Sequence, residues 1–137
     1  MNILFFLKPK NEVAYIEDDS TLRQALQSME YHKYSAIPIL NKQGEFVGTI
    51  TEGDLLWTIK DHHGLDLKGA ENIFIKDIAC KRNFGVVAAD ADMEDLISTA
   101  MNQNFVPVVD DQNKFIGIIT RKSIIEYCYD KLLKCDD

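Results

Sequence analysis

The residues best placed to do chemistry in this chain are Thr51 and Asp54, a hydroxyl and a carboxylate three positions apart. The apolar spacing of Leu55, Leu56 and Ile59 predicts a helix that begins directly after Thr51. The N–H groups of a helix N-terminus favour a phosphate, and a carboxylate one turn in can accept both hydroxyls of a ribose. The same pair also fits a capping box, in which both side chains close on the helix backbone. The local sequence leaves both interpretations open.

Other groupings of reactive residue types predict no chemistry. Asp61-His62-His63 lies in a polar stretch without the further motifs that a metal-dependent phosphodiesterase needs, and the acidic residues at 90–95 lack the spacing of a calcium loop. The sequence contains no Ser/His/Asp or Cys/His arrangement of catalytic residues and no glycine-rich phosphate-binding loop. We therefore expect no catalytic residues, no metal site and no enzyme.

The elements that position Thr51 and Asp54 occur twice in the chain. Tyr34–Thr51 aligns with Gln103–Thr120 at an offset of 69 positions, which places Pro38 on Pro107 and Gly48 on Gly117. Each copy reads as strand, helix, strand, strand, helix. Two copies can bury sheet faces that one copy would leave exposed, so the repeat predicts an α/β fold of two similar units.

The predicted elements follow from apolar periodicity and turn residues. The strands are expected at 13–16, 36–40 and 46–50, and again at 86–88, 106–109 and 115–119; the helices are expected at 20–32, 52–60, 92–103 and 121–133. Hairpin turns are expected at 41–44 and 110–113. We divide the chain into a first repeat at 1–60, a linker at 61–79 and a second repeat at 80–137.

The composition disfavours some classes of binding partner and indicates a cellular compartment. The 137 residues carry a formal net charge of −7, which disfavours binding to nucleic acid or to an anionic membrane. No apolar run approaches the length of about 20 residues that spans a bilayer. The 3 cysteines form no metal-ligand pattern, and without a recognisable signal peptide they are typical of a cytoplasmic protein.

The run Gly48-Thr-Ile-Thr51-Glu-Gly-Asp54, together with the proline-containing strand and the hairpin before it, resembles the CBS domain, named after cystathionine β-synthase. The duplication resembles the tandem pair called a Bateman module, of the stand-alone bacterial type. The resemblance implies two β-α-β-β-α repeats packed with pseudo-two-fold symmetry. It also implies a regulatory role, since many such pairs bind AMP, ATP, S-adenosylmethionine or cyclic di-AMP between their repeats, whereas others only dimerise or dock.

The resemblance assigns two candidate ligand sites. Site one comprises Thr51, Asp54, Phe84, Gly85, Asn104, Phe105 and Lys122. Site two comprises Val13, Ala14, Tyr34, Ser35, Ala36, Thr120, Arg121 and Ser123. In site one Asp54 would hold the ribose, Asn104 the edge of an adenine, and Phe84 or Phe105 its ring, although both phenylalanines also suit a core. In site two Ser123 replaces the family's aspartate, which weakens the case for ribose binding there.

These features predict a regulatory module that senses an adenine-containing ligand and requires no cofactor. The alternative is a ligand-free unit that dimerises or docks on a partner protein. Helix-borne Leu55, Trp57, Ile125 and Tyr127 lead us to expect a homodimer.

Overall fold

The computed structural model describes residues 2–62, 66, 68–78 and 84–135. In this part of the chain the strands are β1 (Lys8–Pro9), β2 (Ile16–Glu17), β3 (Ala36–Leu40), β4 (Phe46–Thr51), β5 (Val87–Ala88), β6 (Phe105–Val109) and β7 (Phe115–Thr120). The helices are α1 (Leu22–His32), α2 (Glu52–Asp61), α3 (Met93–Ala100) and α4 (Arg121–Cys135). The predicted α/β fold with two repeats is confirmed.

The chain divides into two compact units. Residues 14–84 form one, here called the central unit, while the first thirteen residues join those from Gly85 onward in the other, the terminal unit. The predicted repeat boundaries follow sequence similarity alone, and they do not anticipate this exchange of the N-terminal segment.

In the central unit a sheet of order β2-β3-β4 packs on two helices. β2 runs parallel to β3, and β3 is antiparallel to β4, with Ala36 opposite Thr51. The core joins Ile37 and Ile50 of the sheet to Leu22 of α1 and Leu55 of α2. One face of the sheet is therefore covered by α1 and α2, which fixes the point where β4 passes into α2.

The stretch after α2 contributes more to this unit than a polar linker would. Ala70 and Ile75 lie in the core, where they are 1% and 0% exposed. The backbone N–H of Ile75 donates to the carbonyl of Ser20, and the N–H of Leu22 donates to the carbonyl of Ile73. Within this stretch Ile75–Asp77 forms a short 3-10 helix.

In the terminal unit the N-terminal segment adds a strand to the second repeat. The sheet order is β1-β7-β6-β5, with Lys8 opposite Ile118 and Pro9 opposite Gly117 in antiparallel register. Ile3, in a short 3-10 helix, is fully buried in the core of this unit. A β-carbon on Gly117 would lie 2.2 Å from the carbonyl oxygen of Lys8. The glycine therefore permits the close approach of β1 to β7.

Two expectations about the helices need correction. The third helix ends at Ala100 rather than at 103. Leu55 and Tyr127, expected at a dimer interface, face inward: Leu55 is 6% exposed in the core, and the ring of Tyr127 packs edge-on against Phe6 at 5.0 Å.

No helix in the described part of the chain has the length and apolar character needed to cross a membrane.

Candidate functional site

Thr51 and Asp54 meet at the junction of β4 and α2. The backbone N–H of Thr51 donates to Oδ2 of Asp54 at 2.9 Å, and the N–H of Asp54 donates to the Thr51 hydroxyl oxygen at 3.1 Å. The N–H of Glu52, the first residue of α2, donates to the carbonyl of Ser35. The capping box considered from the sequence is thus present. It holds the carboxylate of Asp54 through one oxygen and leaves it half-buried at the start of the helix.

The corresponding junction in the terminal unit has a different chemistry. The hydroxyl oxygens of Thr120 and Ser123 lie 2.9 Å apart in a hydrogen bond, and the N–H of Ser123 donates to the Thr120 hydroxyl at 3.2 Å. The two hydroxyls therefore engage each other. This junction offers a ligand no carboxylate at the position that corresponds to Asp54.

Arg121, assigned to site two, contacts the end of α3. Its Nε donates to the carbonyl oxygen of Ala100 at 3.0 Å, and its backbone N–H donates to the carbonyl of Asn104. A cation at the last carbonyls of α3 complements the negative end of the helix dipole. Arg121 thereby stabilises the C-terminal end of α3.

Gly85 and Phe105, two residues assigned to site one, are joined by Gln103, a residue that the sequence analysis did not single out. Its side-chain nitrogen donates to the carbonyls of Gly85, at 2.8 Å, and Phe105, at 3.0 Å, while its side-chain oxygen accepts from the N–H of Gly85 at 3.0 Å. A β-carbon on Gly85 would meet Thr99 at 2.8 Å. No feature of the sequence indicates this role of Gln103, because its partners are backbone atoms, one of them on a residue 18 positions away.

The remaining site-one residues differ widely in exposure. Phe105 is 7% exposed, which supports its packing role, and Phe84 is half-buried with its ring 6.4 Å from that of Phe46. Asn104 is exposed. Lys122 is also exposed and lies 4.0 Å from Glu126 in a surface ion pair.

The site-two residues of the first repeat lie on both sides of the unit boundary. Val13 belongs to the terminal unit and Ala14 to the central unit. Tyr34 stacks on His32 with ring centroids 5.3 Å apart, Ser35 is exposed, and Ala36 lies opposite Thr51. Ala36, assigned to site two, is thus the cross-strand neighbour of Thr51, which is assigned to site one.

A groove of about 290 Å³ runs beside Asp54 within the central unit. Its lining consists of Asp54, Trp57, Thr58, Asp61, His62, Asp77 and Ile78. The His62 ring is held by a 2.8 Å contact between its Nδ1 and the carbonyl of Thr58. Among the described residues no group of three or more histidine, cysteine or acidic side chains could hold a metal ion; His63 lies outside the described residues.

Two proteins of Methanocaldococcus jannaschii are similar to this chain in sequence. The uncharacterized protein MJ1225 of Methanocaldococcus jannaschii is 26% identical over 133 residues, which cover 88% of this chain and 47% of that protein. The inosine-5'-monophosphate dehydrogenase of the same organism is 28% identical over 117 residues, which cover 84% of this chain and 21% of the enzyme. The chain spans about half the length of the first relative and about a fifth of the second.

Solved structures share the fold over nearly the whole chain. A CBS domain protein from Streptococcus pneumoniae TIGR4 is 28% identical with a TM-score of 0.84, over 93% of this chain and 86% of that one. CbpB in complex with c-di-AMP has a TM-score of 0.86 at 24% identity, over 100% and 90% of the two chains. CBSX2 in complex with AMP has a TM-score of 0.76 at 20% identity, over 94% and 96%.

The sequence also matches the family model described as the CBS domain, once at residues 7–61 and again at 75–130. The two matches include both hairpins and both strand-to-helix junctions described above, and together they cover well over half of the chain. The chain belongs to the CBS domain family and carries the domain twice.

Proposed function

We propose that this protein is a regulatory module that binds an adenine-containing ligand, with Asp54 as the ribose contact. The observation that carries the proposal is the geometry at the start of α2. The capping box holds the carboxylate through Oδ2 and leaves Oδ1 to accept from a ligand. The Thr51 hydroxyl and the positive end of α2 lie beside it and favour a phosphate.

The contrast between the two strand-to-helix junctions supports Asp54 over Ser123. A ribose diol offers two donors, which one carboxylate can accept together. Ser123 has a single hydroxyl, already bonded to Thr120. Arg121 is committed to the end of α3. Site two is therefore the weaker candidate.

The ligand class is supported by what related folds bind. CbpB is described in complex with c-di-AMP, and CBSX2 in complex with AMP. Both ligands carry an adenine and a ribose, which are the groups that the residues assigned to site one suit. AMP and cyclic di-AMP are accordingly the first compounds to test.

A thermal-shift screen with AMP, ADP, ATP, S-adenosylmethionine, NAD and cyclic di-AMP tests the proposal. A ligand that binds only the folded state stabilises it by about 2.7 kcal/mol at a concentration of one hundred times its Kd. We expect at least one adenine compound to raise the melting temperature, and guanine counterparts at equal concentration to raise it less. No shift with any adenine compound at millimolar concentration would contradict ligand sensing.

A second candidate function, dimerisation or docking without a ligand, is favoured by one surface. The outer face of α4 exposes Ile125, Tyr129, Leu132 and Leu133, each at least 52% exposed. Their spacing places them along one side of the helix. An apolar stripe of this extent is typical of an interface between proteins.

We expect the stripe on α4 to support a homodimer. Light scattering at micromolar concentration should give about twice the chain mass of 15.6 kDa. Ile125→Glu combined with Leu132→Glu should return the mass to that of one chain, because two charges would be desolvated in the interface. Met101→Glu, at a position that is 72% exposed directly after α3, is the control. A monomeric parent protein would exclude the dimer.

A further inference from the structure

Gln103 is a buried residue whose side-chain amide makes three hydrogen bonds to the backbone of two other residues. It is 9% exposed, and its Nε2 donates to the carbonyls of both Gly85 and Phe105. Its Oε1 accepts from the N–H of Gly85. A side-chain amide destabilises a fold when it is buried without such partners. We call these three bonds the Gln103 clasp.

The clasp restricts the backbone on both sides of Asn104. The bond from Gln103 to Phe105 closes a ring that contains the peptide groups of Asn104, and the carbonyl of Asn104 itself accepts from the backbone N–H of Arg121. Asn104 is nevertheless exposed. An exposed side chain on a backbone that is held by these bonds can take few positions, because few backbone conformations satisfy all of them at once.

At the position of Gln103 the first repeat has a residue that cannot form the clasp. With the offset of 69 positions, this residue is Tyr34. A phenol has one proton to donate, so it cannot donate to two carbonyls. The clasp therefore belongs to the repeat that supplies Asn104 to site one, whereas Tyr34 is assigned to site two, which lacks the aspartate.

We infer that Gln103 is a positioning residue for base recognition, which fixes Asn104 so that its amide meets the edge of an adenine; the inference rests on the proposed function. An asparagine amide can donate to a ring nitrogen of adenine and accept from its amino group. Both bonds depend on direction and weaken steeply when the donor turns away from its acceptor. A movement of the Asn104 backbone would therefore weaken the contacts to the base and leave those to ribose and phosphate unchanged.

Gln103→Met tests the inference, because methionine keeps the length of the side chain and removes both N–H donors. The affinity for AMP in calorimetric titration should fall about tenfold, at the upper end for the loss of one neutral hydrogen bond. The affinity for ribose 5-phosphate, which has the ribose and phosphate of AMP but no base, should equal that of the parent protein. A loss of stability alone would not separate the two compounds.

A double-mutant cycle shows whether Gln103 acts through Asn104. Asn104→Ala by itself should weaken AMP binding about tenfold. Gln103→Met should add little to this loss in the double variant, because the amide that it positions is already absent. Additive losses would overturn the inference. The cycle uses AMP alone, so it decides even if ribose 5-phosphate binds too weakly to titrate.

Asp110→Ala is the matched control for stability. Oδ1 of Asp110 accepts from the backbone N–H groups of Gln112 and Lys114 at 2.9 and 2.8 Å, so this variant also loses side-chain bonds to the backbone of the terminal unit. Asp110 follows β6 at the end opposite Phe105. Asp110→Ala should unfold at a lower urea concentration than the parent protein and keep its affinity for AMP.

Gly85→Ala disturbs the clasp from its other end. A β-carbon at this position would lie 2.8 Å from Cγ2 of Thr99 and 3.3 Å from Oε1 of Gln103. The variant should therefore show the same selective loss of affinity for AMP. It carries the comparison with ribose 5-phosphate if Gln103→Met does not fold.

The outcomes separate this inference from the proposed function. Equal affinity of Gln103→Met and the parent protein for AMP would overturn the positioning role while ligand sensing stands. Equal losses for AMP and ribose 5-phosphate would also overturn it, because the damage would then extend beyond base recognition. Failure of the parent protein to bind AMP would overturn ligand sensing of this nucleotide, and the role of Gln103 with it.

Discussion

Asp54→Ala should weaken the binding of AMP by tenfold or more, because the ribose of AMP carries both hydroxyls. The proposed ribose contact consists of two hydrogen bonds to one carboxylate, and a hydrogen bond to a charged group contributes about 1.5–3 kcal/mol. Since about 1.4 kcal/mol corresponds to a factor of ten in affinity, loss of both bonds gives at least that factor. Isothermal titration of the parent and variant proteins with the same nucleotide measures the difference. Ser123→Ala should change the affinity much less.

Asp54 also closes a capping box, so Asp54→Ala should lower stability as well as affinity. The chain offers a matched control variant for the loss of the cap. α1 begins with the same motif: the N–H of Thr21 donates to the side-chain oxygen of Gln24 at 2.8 Å, and the N–H of Gln24 donates to the Thr21 hydroxyl at 3.2 Å. Gln24→Ala therefore removes an equivalent cap in the same unit and should lower stability without changing affinity. If Asp54→Ala also leaves affinity unchanged, Asp54 is a helix cap only. A larger effect of Ser123→Ala would reverse the assignment of the two sites.

Gly117→Ala should destabilise the protein by about 3 kcal/mol, the upper end of the usual cost of overpacking. The added β-carbon would lie 2.2 Å from the Lys8 carbonyl oxygen and 2.9 Å from the Leu7 side chain. Neither distance is compatible with the pairing of Pro9 opposite Gly117, so β1 must move away from β7. Urea denaturation measures the loss. Faster amide exchange along β7 would show that the damage is at this strand pair.

Gly53→Ala is the corresponding control, and we expect it to raise the free energy of unfolding rather than lower it. Its β-carbon would lie 3.6 Å from the Thr51 hydroxyl oxygen and 4.0 Å from the Trp57 ring nitrogen, which are ordinary contacts. Alanine is favoured over glycine inside a helix by about 0.5–1 kcal/mol. Gly53→Ala should therefore stabilise the protein slightly. If Gly117→Ala were equally harmless, the close approach of β1 to β7 would be contradicted.

The parts of this fold that depend on neighbouring residues could be predicted from the sequence. Thr51 marked the start of α2, because the two capping residues lie within one turn of each other, whereas α1, expected from residue 20, begins at Leu22. The strand 36–40 was confirmed at both ends, since it contains the β-branched residues Ile37 and Ile39 and a hairpin turn follows it. The junction of Thr51 and Asp54 was predictable for the same reason.

What could not be predicted depends on partners far away in the sequence. The N-terminal segment pairs with β7, more than one hundred positions along the chain. Gln103 bonds to the backbone of Gly85 and Phe105, and Arg121 bonds to a carbonyl 21 positions earlier, at the end of α3.

The division into units sets an order for folding during synthesis. Residues 14–84 are contiguous, so the central unit can close once they have left the ribosome. The terminal unit needs both the first thirteen residues and those after Gly85. Ile3 and β1 therefore cannot pack into the terminal unit until β7 has been synthesised. A nascent chain halted before Phe115 would expose the apolar run Ile3–Leu7 to chaperones, and release of the arrest would bury it.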